Sequence, residues 1–339
     1  MDYANIFTPG NELFSKAAMT GYVNTQPFVP EFLGKWLPWN VQNETLRQMI
    51  IEFNEGKLAI VPEAPVGAPG YSPEDDDRSA VPVLIPHYPQ KATLWAKSLE
   101  GVRAVGSELE EQLTERRNRL LNQINRNNRL RWEIARIGAI TGLVLDQNGN
   151  IKHNWFNTFG DTGQPLVQTK HEIDFANSNT KLRSALIDAR DKGEEQLGDL
   201  TATSWVAVCG KNRFKSITDH ASFEKMFDRF NDSSMLRDDV GIDGFQVASD
   251  IRVVKYSRAT VAGVKLIGDD DMYLCPVAED MYRMHFGPGT GFADLGAAAY
   301  PEYVSPHFLP HDEGVEFKAQ TNVLAYATRL PAIVKIEQA

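Results

Sequence analysis

The hydrophobic and polar positions of residues 107–141 predict one long helix. Ser107 and Glu110 have the S-x-x-E spacing of a capping box, in which each side chain bonds a backbone N–H of the first turn. Acidic residues crowd that turn, and Arg129, Arg131 and Arg136 lie toward the other end, which suits the helix dipole. No proline interrupts the segment, so the helix spans roughly 45 Å at about 1.5 Å per residue. A rod of this length indicates an architectural role.

A β-hairpin is predicted directly after this helix. Gly142 ends the helical pattern, and LVLDQNGNIKHNWF contains two strand-like halves around Asn148-Gly149, a strong turn signal. Earlier in the chain, LRQMIIEF and KLAIVPE flank residues 54–56 and predict a second hairpin. The proline-rich stretch that follows, as far as Pro89, favours extended, edge-type chain because proline fixes φ and lacks an N–H.

The second half of the chain mixes both patterns, which indicates an α+β protein. Helices are predicted at 179–197 and 221–230, and strands at 203–210, 244–257, 264–277 and 314–338. The first 40 residues carry scattered aromatic side chains and no sustained period. That segment is typical either of an arm that docks on another surface or of a terminus folded onto its own core.

Composition excludes several classes of protein. The chain has 339 residues, 24% of them charged, and a formal net charge of −10, which argues against wrapping nucleic acid by neutralising phosphates. Asp2 stands where a signal peptide needs positive charge, and no apolar run approaches the roughly 18 residues that cross a membrane. Cys209 and Cys275 make no disulfide framework, so two buried free thiols are expected.

Two glycine-containing segments suggest phosphate binding, but neither has the residues that a phosphate-binding motif requires. Gly210-Lys211 follows a hydrophobic strand, but a phosphate loop needs a glycine at position 205, which is Trp205, and Ser or Thr at position 212, which is Asn212. GPGTG at 287–291 fits no dinucleotide-binding fingerprint and is typical of a turn.

Three further clusters contain residue types used in catalysis or metal binding. His307 and His311 are flanked by acidic residues, but nearby prolines prevent a helix from presenting both rings on one face. Cys209 with Asp219 and His220 lacks a nucleophile motif. The carboxylates of residues 269–271 alternate in direction on an extended chain, which favours a turn. The sequence therefore predicts no catalytic, cofactor-binding or metal site, and no enzyme.

Residues 131–160, RWEIARIGAITGLVLDQNGNIKHNWFNTFG, resemble the central block of the lambda-type phage major capsid proteins, the capsid E family. Segments at 64–70 (APVGAPG), 85–89 (IPHYP) and 101–108 (GVRAVGSE) resemble the same family. Residues 317–336 resemble its closing strands, with a Gln-x-Asn step at Gln320 and Asn322 and an Arg-x-Pro step at Arg329 and Pro331. The matches keep the family's order, while residues 200–300 match loosely.

The resemblance implies the Hong Kong 97-like phage capsid fold, which is α+β. Its parts would be an N-terminal arm at 1–44, an extended β-loop at 45–98, a peripheral domain at 99–174 and 301–339 with the spine helix 107–141, and an axial domain at 175–300. It implies a major capsid protein that self-assembles as pentamers and hexamers into the icosahedral head of a tailed phage, enclosing double-stranded DNA without sequence-specific binding.

The implied partners are copies of the same chain, a scaffold protein, a portal protein and, in some phages, a decoration protein, with no membrane. The implied location is the virion, and the host cytoplasm during assembly. Two alternatives remain open: the shell of a cellular nanocompartment, and a hydrolase using residues 175–300.

Four asparagines occupy the middle of the predicted spine helix, at positions 122, 125, 127 and 128. Each costs up to about 0.7 kcal/mol of helix propensity relative to alanine. One hypothesis is that this region bends in an immature shell and straightens on expansion. The alternative is that the asparagines contact a neighbouring subunit or face water.

Overall fold

The structure is a computed structural model, and it describes residues 16, 19, 20, 22, 32–53, 79–99, 109–146, 148–160, 164–223, 244–256, 260–261, 264–294 and 296–339. The α-helices with described bounds are α1 (Phe32–Trp36), α2 (Leu109–Thr141), α3 (Trp155–Thr158), α4 (Leu182–Glu194) and α5 (Lys211–Thr218). The strands are β1 (Trp39–Asn43), β2 (Gln48–Phe53), β3 (Ser79–Leu84), β4 (Tyr88–Trp95), β5 (Leu143–Leu145), β6 (Ile151–Asn154), β7 (Lys170–Ile173), β8 (Ser204–Cys209), β9 (Phe245–Ala248), β10 (Ile251–Lys255), β11 (Thr260–Val261), β12 (Val264–Lys265), β13 (Met272–Val277), β14 (Tyr282–Phe286), β15 (Tyr303–Phe308), β16 (Gly314–Thr321), β17 (Val323–Ala327) and β18 (Val334–Gln338).

The predicted long helix is confirmed as α2, a 33-residue helix that we call the spine helix. Ser107, the capping residue predicted from the sequence, lies outside the described residues. Every residue from 132 to 140 is buried, as expected for a helix surrounded by the core rather than lying on its surface. Packed against this helix are β4, β5, β16 and β17, so it connects several sheets.

The hairpin after the spine helix is also confirmed. Gly142 ends the helix with a φ of +75°, and β5 pairs antiparallel with β6. Gly149 has a φ of +84° in the turn, and the Asp146 carboxylate accepts the N–H groups of Asn148 and Asn150 at 2.7 and 2.9 Å. These bonds lower the pKa of Asp146. The described residues of the hairpin tip are therefore joined by hydrogen bonds to Asp146.

The two glycines of this region make a matched pair for a stability test. A Cβ on Gly142 would lie 2.2 Å from Cε2 of Phe156, whereas a Cβ on Gly149 would have no neighbour within 4 Å. We expect Gly149→Ala to cost about 1 kcal/mol of unfolding free energy, from the positive φ alone. Gly142→Ala should cost at least about 2 kcal/mol more, because Phe156 must move. Urea unfolding of both variants measures the difference, and equal losses would contradict the clash.

A six-stranded mixed sheet forms the largest part of the core. Its strand order is β7-β18-β13-β8-β10-β9, and α4 and α5 pack against it. The strands of β8 and β13 are buried almost throughout, which is typical of a sheet covered on both faces. Cys209 and Cys275 lie buried in these two strands as free thiols, as predicted, and burial raises the pKa of both.

Smaller sheets complete the described fold, and strands of two of them, β4, β16 and β17, pack against the spine helix. Strand β1 pairs parallel with β14, which pairs antiparallel with β17. Strands β15, β16 and β4 form an antiparallel sheet, and β2 pairs with β3 in a two-stranded ribbon. Pro82 lies in β3 of the ribbon and Pro89 in β4 at a sheet edge, so the predicted edge character of this stretch is confirmed for both prolines.

The described part of the N-terminal segment folds onto the chain's own core. Leu33 and Leu37 are buried in the main hydrophobic cluster, and Trp36 and Trp39 pack against it. Of the two interpretations of the first 40 residues, own-core packing therefore holds for residues 32–39.

The outcome for the other predicted helices and turns varies from one element to the next. The helix predicted at 179–197 is confirmed as α4. Residues 221–223 are helical, while 224–230, the rest of the predicted helix, lie outside the described residues, as does the predicted turn at 54–56. Helix α5 was not predicted, since its eight residues are mostly polar and bury only Arg213 and Ile217.

Candidate functional site: segments clasped to the spine helix

A buried ion pair on the spine helix holds α1 in place. Glu133 Oε2 lies 3.4 Å from Nη1 of Arg136, and the two residues are 5% and 2% exposed. Glu133 Oε1 accepts the Leu33 N–H at 3.2 Å, and that N–H belongs to the first turn of α1, where helical partners are lacking. The Arg136 guanidinium lies 5.8 Å from the Trp39 ring centroid. Arg136 was predicted to complement the helix dipole, but it instead anchors the segment before β1.

A second polar group, which we call the amide cluster, consists of Gln90, Asn125, Asn127, Asn128 and Glu302. Asn125 Nδ2 and Asn128 Nδ2 donate to the two carboxylate oxygens of Glu302 at 3.2 and 2.9 Å. Gln90 Nε2 donates to Asn128 Oδ1 at 2.6 Å. Because Gln90 belongs to β4 and Glu302 precedes β15, the cluster joins the spine helix to both edges of one sheet.

This cluster gives two of the helix asparagines a role that neither sequence hypothesis included. Asn125 and Asn128 are buried and bind a carboxylate of the same chain, so their weak helix propensity is offset by hydrogen bonds to a charged group. Asn122 and Asn127 are exposed, as the second hypothesis expected. Bending of the helix in an immature shell stays a prediction.

The glycine-rich segment 287–291 is held by side chains that follow or face it. Asn322 Nδ2 donates to the Pro288 carbonyl at 2.6 Å, and Thr290 Oγ1 donates to Gln320 Oε1 at 2.9 Å. Asp294 Oδ2 accepts the Gly291 N–H at 3.1 Å, and Lys16 Nζ contacts the same carboxylate group at 2.8 Å. The segment is therefore held by side chains of the same chain; it has no regular secondary structure at 287–289 and bends at 290–291. The Gln-x-Asn step acts here as a structural clamp.

Cys209, Asp219 and His220 do not form a catalytic arrangement in the structure. The Cys209 thiol donates to the Val254 carbonyl at 3.3 Å, and burial raises its pKa, which disfavours the reactive thiolate. His220 Nδ1 accepts the Ser222 N–H at 3.1 Å, and Nε2 lies 3.0 Å from the Asn177 carbonyl. Both ring nitrogens are therefore engaged by backbone groups, those of Ser222 and Asn177.

The acidic run at 269–271 and the Gly210-Lys211 step belong to one turn-to-helix contact. The Asp269 carbonyl accepts the N–H groups of Asn212 and Arg213 at 2.9 and 3.0 Å. These two N–H groups in the first turn of α5 therefore already have an acceptor within the chain. The Asp269 carboxylate pairs with Lys265, and Asp271 Oδ2 accepts the Gly268 N–H at 3.0 Å. The predicted turn is confirmed.

His307 and His311 are both exposed, on β15 and in a short 3-10 turn at Pro310–Asp312 respectively. Within the described ranges, no group of three or more histidine, cysteine, aspartate or glutamate side chains could hold a metal ion. No helix in the part of the chain that the structure describes is long and apolar enough to cross a membrane.

Sequence reasoning missed Gln90 and Glu302, which bind the spine helix, Glu133, through which the helix binds α1, and Asp294, which binds the glycine-rich segment. One signal was available, since Glu133 and Arg136 have helical i, i+3 spacing inside an otherwise apolar run. The partners of Glu302 come from positions more than 170 residues away, and no local pattern identifies them.

The family model of phage major capsid protein E matches residues 15–338, nearly the whole chain. The chain belongs to this family. The major capsid protein of Pseudomonas phage KPP10 is 20% identical over 305 residues, covering 84% of this chain and 86% of that protein. The spine helix, the hairpin and the clasped segments are therefore parts of a phage major capsid protein.

Two solved structures share the fold. A prophage protein of Escherichia coli CFT073, described as a capsid protein, superposes with a TM-score of 0.58 at 13% identity over 96% of this chain and 99% of that one. A phage-related protein of Bordetella bronchiseptica RB50 gives 0.56 at 10% identity, over 96% and 97%. The fold is the α+β, Hong Kong 97-like capsid fold, as the sequence resemblance implied.

Family membership confirms that this protein is the major capsid protein of a tailed phage, whose copies form the icosahedral shell of the virion. It favours a structural over an enzymatic role; that the chain is no enzyme stays a prediction.

Proposed function

We propose that this chain builds its phage head from pentamers and hexamers that enclose double-stranded DNA without sequence-specific contacts. The observation that carries the proposal is the family match over residues 15–338. The net charge of −10 supports it, since an acidic shell does not adhere to the phosphates that it encloses.

The ribbon of β2 and β3 is the surface best suited to contacts between copies. Its inner side chains, Met49, Ile51 and Val83, are buried in the core. The other face exposes Ile50 and Leu84, which are 65% and 68% accessible. Exposed apolar side chains that lie together on one face mark a surface that another protein covers. We therefore assign this outer face, which also includes Pro82, to the interface with a neighbouring copy.

Family membership also supports a proposal about the partners of this protein and the place where it assembles. The proposed partners are a scaffold protein during assembly, a portal at one vertex and, optionally, a decoration protein. The protein would assemble in the host cytoplasm and act without catalysis. We also propose the predicted boundaries of the arm, extended loop, peripheral domain and axial domain. The six-stranded sheet crosses one of these boundaries, because β7 and β18 come from the predicted peripheral domain and its other four strands from the predicted axial domain.

Co-expression with the neighbouring phage genes, followed by sedimentation and electron microscopy, tests the proposal. We expect closed polyhedral shells whose size gives the lattice directly. Small oligomers alone, in the presence of the scaffold protein, would contradict shell formation by this chain.

A further inference from the structure

Phe292 is the most exposed large apolar side chain in the part of the chain that the structure describes. It is 96% accessible and begins a short 3-10 turn, Phe292–Asp294, in the segment between β14 and β15. Burial of a phenyl ring is among the largest favourable contributions that one side chain makes to a core or an interface. Within its own chain, Phe292 makes almost none of this contribution.

The turn that carries Phe292 is bonded on both sides of the ring. Asp294, which is 8% exposed, accepts the Gly291 N–H at 3.1 Å and donates its own N–H to the Gly291 carbonyl at 2.9 Å. Lys16 Nζ donates to both carboxylate oxygens of Asp294, at 2.8 and 2.9 Å. A Cβ on Gly291 would lie 2.8 Å from Asp294 Oδ2, so the backbone packs closely round this carboxylate. The exposure of Phe292 is therefore set by specific contacts of the turn.

The exposed residues near Phe292 in the sequence are uncharged. Those that the structure describes between β14 and β15 are Thr290, Phe292, Gly296, Ala297, Ala298 and Tyr300. Lys16, the cation at this turn, is already paired with Asp294. Because binding to DNA depends on cations that neutralise phosphates, this segment does not suit the enclosed DNA. Aromatic residues with few charges around them are instead typical of the centre of a protein–protein interface.

The shell itself provides a protein partner, because copies of this chain form it and each copy borders others. We infer that Phe292 is an anchor of a contact between copies, and that its ring is buried against an apolar site of a neighbouring copy. Asp294 and Lys16 are positioning residues, which hold the turn that presents the ring. The inference rests on the shell-forming function and is independent of the interface assigned to the ribbon of β2 and β3.

Replacement of Phe292 by alanine should raise the critical concentration for shell assembly about 20-fold, because burial of the ring against the neighbouring copy is lost. The free energy of unfolding of the unassembled protein should not change, since a side chain that is 96% accessible contributes nothing to the core. Phe292→Leu is the matched control. It keeps most of the apolar area and should assemble within about threefold of the wild-type concentration. Light scattering of the full-length protein during assembly measures all three concentrations.

Photo-cross-linking identifies the surface that covers the ring. We would place p-benzoylphenylalanine at position 292 and grow shells from a mixture of isotopically light and heavy copies. Mass spectrometry should then find peptide pairs that join a light copy to a heavy one. Cross-links to another phage protein or to DNA without such mixed pairs would overturn the inference, as would Phe292→Ala shells at the wild-type concentration. Wild-type protein that forms no shells would overturn the shell-forming function together with this inference, so the wild type distinguishes the two failures.

Discussion

Replacement of Arg136 by methionine is expected to lower the free energy of unfolding by about 3–5 kcal/mol, because it leaves the Glu133 carboxylate buried without its cation. Methionine preserves most of the side-chain volume, so the loss would reflect charge rather than a cavity. The effect should reach α1 as well, since Glu133 also binds the Leu33 N–H. Urea unfolding followed by circular dichroism measures the change.

The same helix provides a matched control. Arg119 and Glu115 form an ion pair at 3.2 Å, but both side chains are mostly exposed. Arg119→Met should therefore cost no more than about 0.5 kcal/mol. The double variant Glu133→Gln with Arg136→Met should recover part of the stability, since no uncompensated charge remains buried. Equal losses for Arg136→Met and Arg119→Met would show that burial does not govern the Glu133–Arg136 pair.

Local patterns predicted the elements whose causes lie within a few residues. The spine helix follows from an uninterrupted run without proline, and the hairpin after it follows from Gly142 and Asn148-Gly149. Residue preferences at such positions depend on backbone conformation alone, so they can be recognised without knowledge of the fold.

Contacts between distant segments could not be predicted in this way. β1 lies parallel to β14, about 240 residues later in the chain, and β18 joins β7 to β13. The role of the helix asparagines depends on Glu302 in the same manner, because hydrogen-bond partners can be assigned only when the fold brings them together. The family resemblance supplied the fold for this reason, whereas the periodicity of the chain supplied only its elements.

The ribbon of β2 and β3 carries the largest expected effect on assembly. Replacement of Ile50 by glutamate is expected to raise the critical concentration for shell assembly at least about 100-fold, because a charge would be buried against a neighbouring copy and the burial of an isoleucine side chain would be lost. The unassembled protein should remain as stable as the wild type, since this side chain is 65% exposed and contributes little to the core.

Two companion variants at the same position test the sign of the charge and the loss of apolar area. Ile50→Lys should also block assembly, which would exclude an effect of the sign of the charge, and Ile50→Leu should assemble like the wild type because it keeps the apolar area. Light scattering during assembly gives the critical concentration, and thermal unfolding gives the stability of the subunit. If Ile50→Glu forms shells at the wild-type concentration, the outer face of the ribbon is not the interface between copies. Assembly lost together with subunit stability would instead assign Ile50 to folding, because a side chain that only binds neighbours affects the shell and leaves the monomer unchanged.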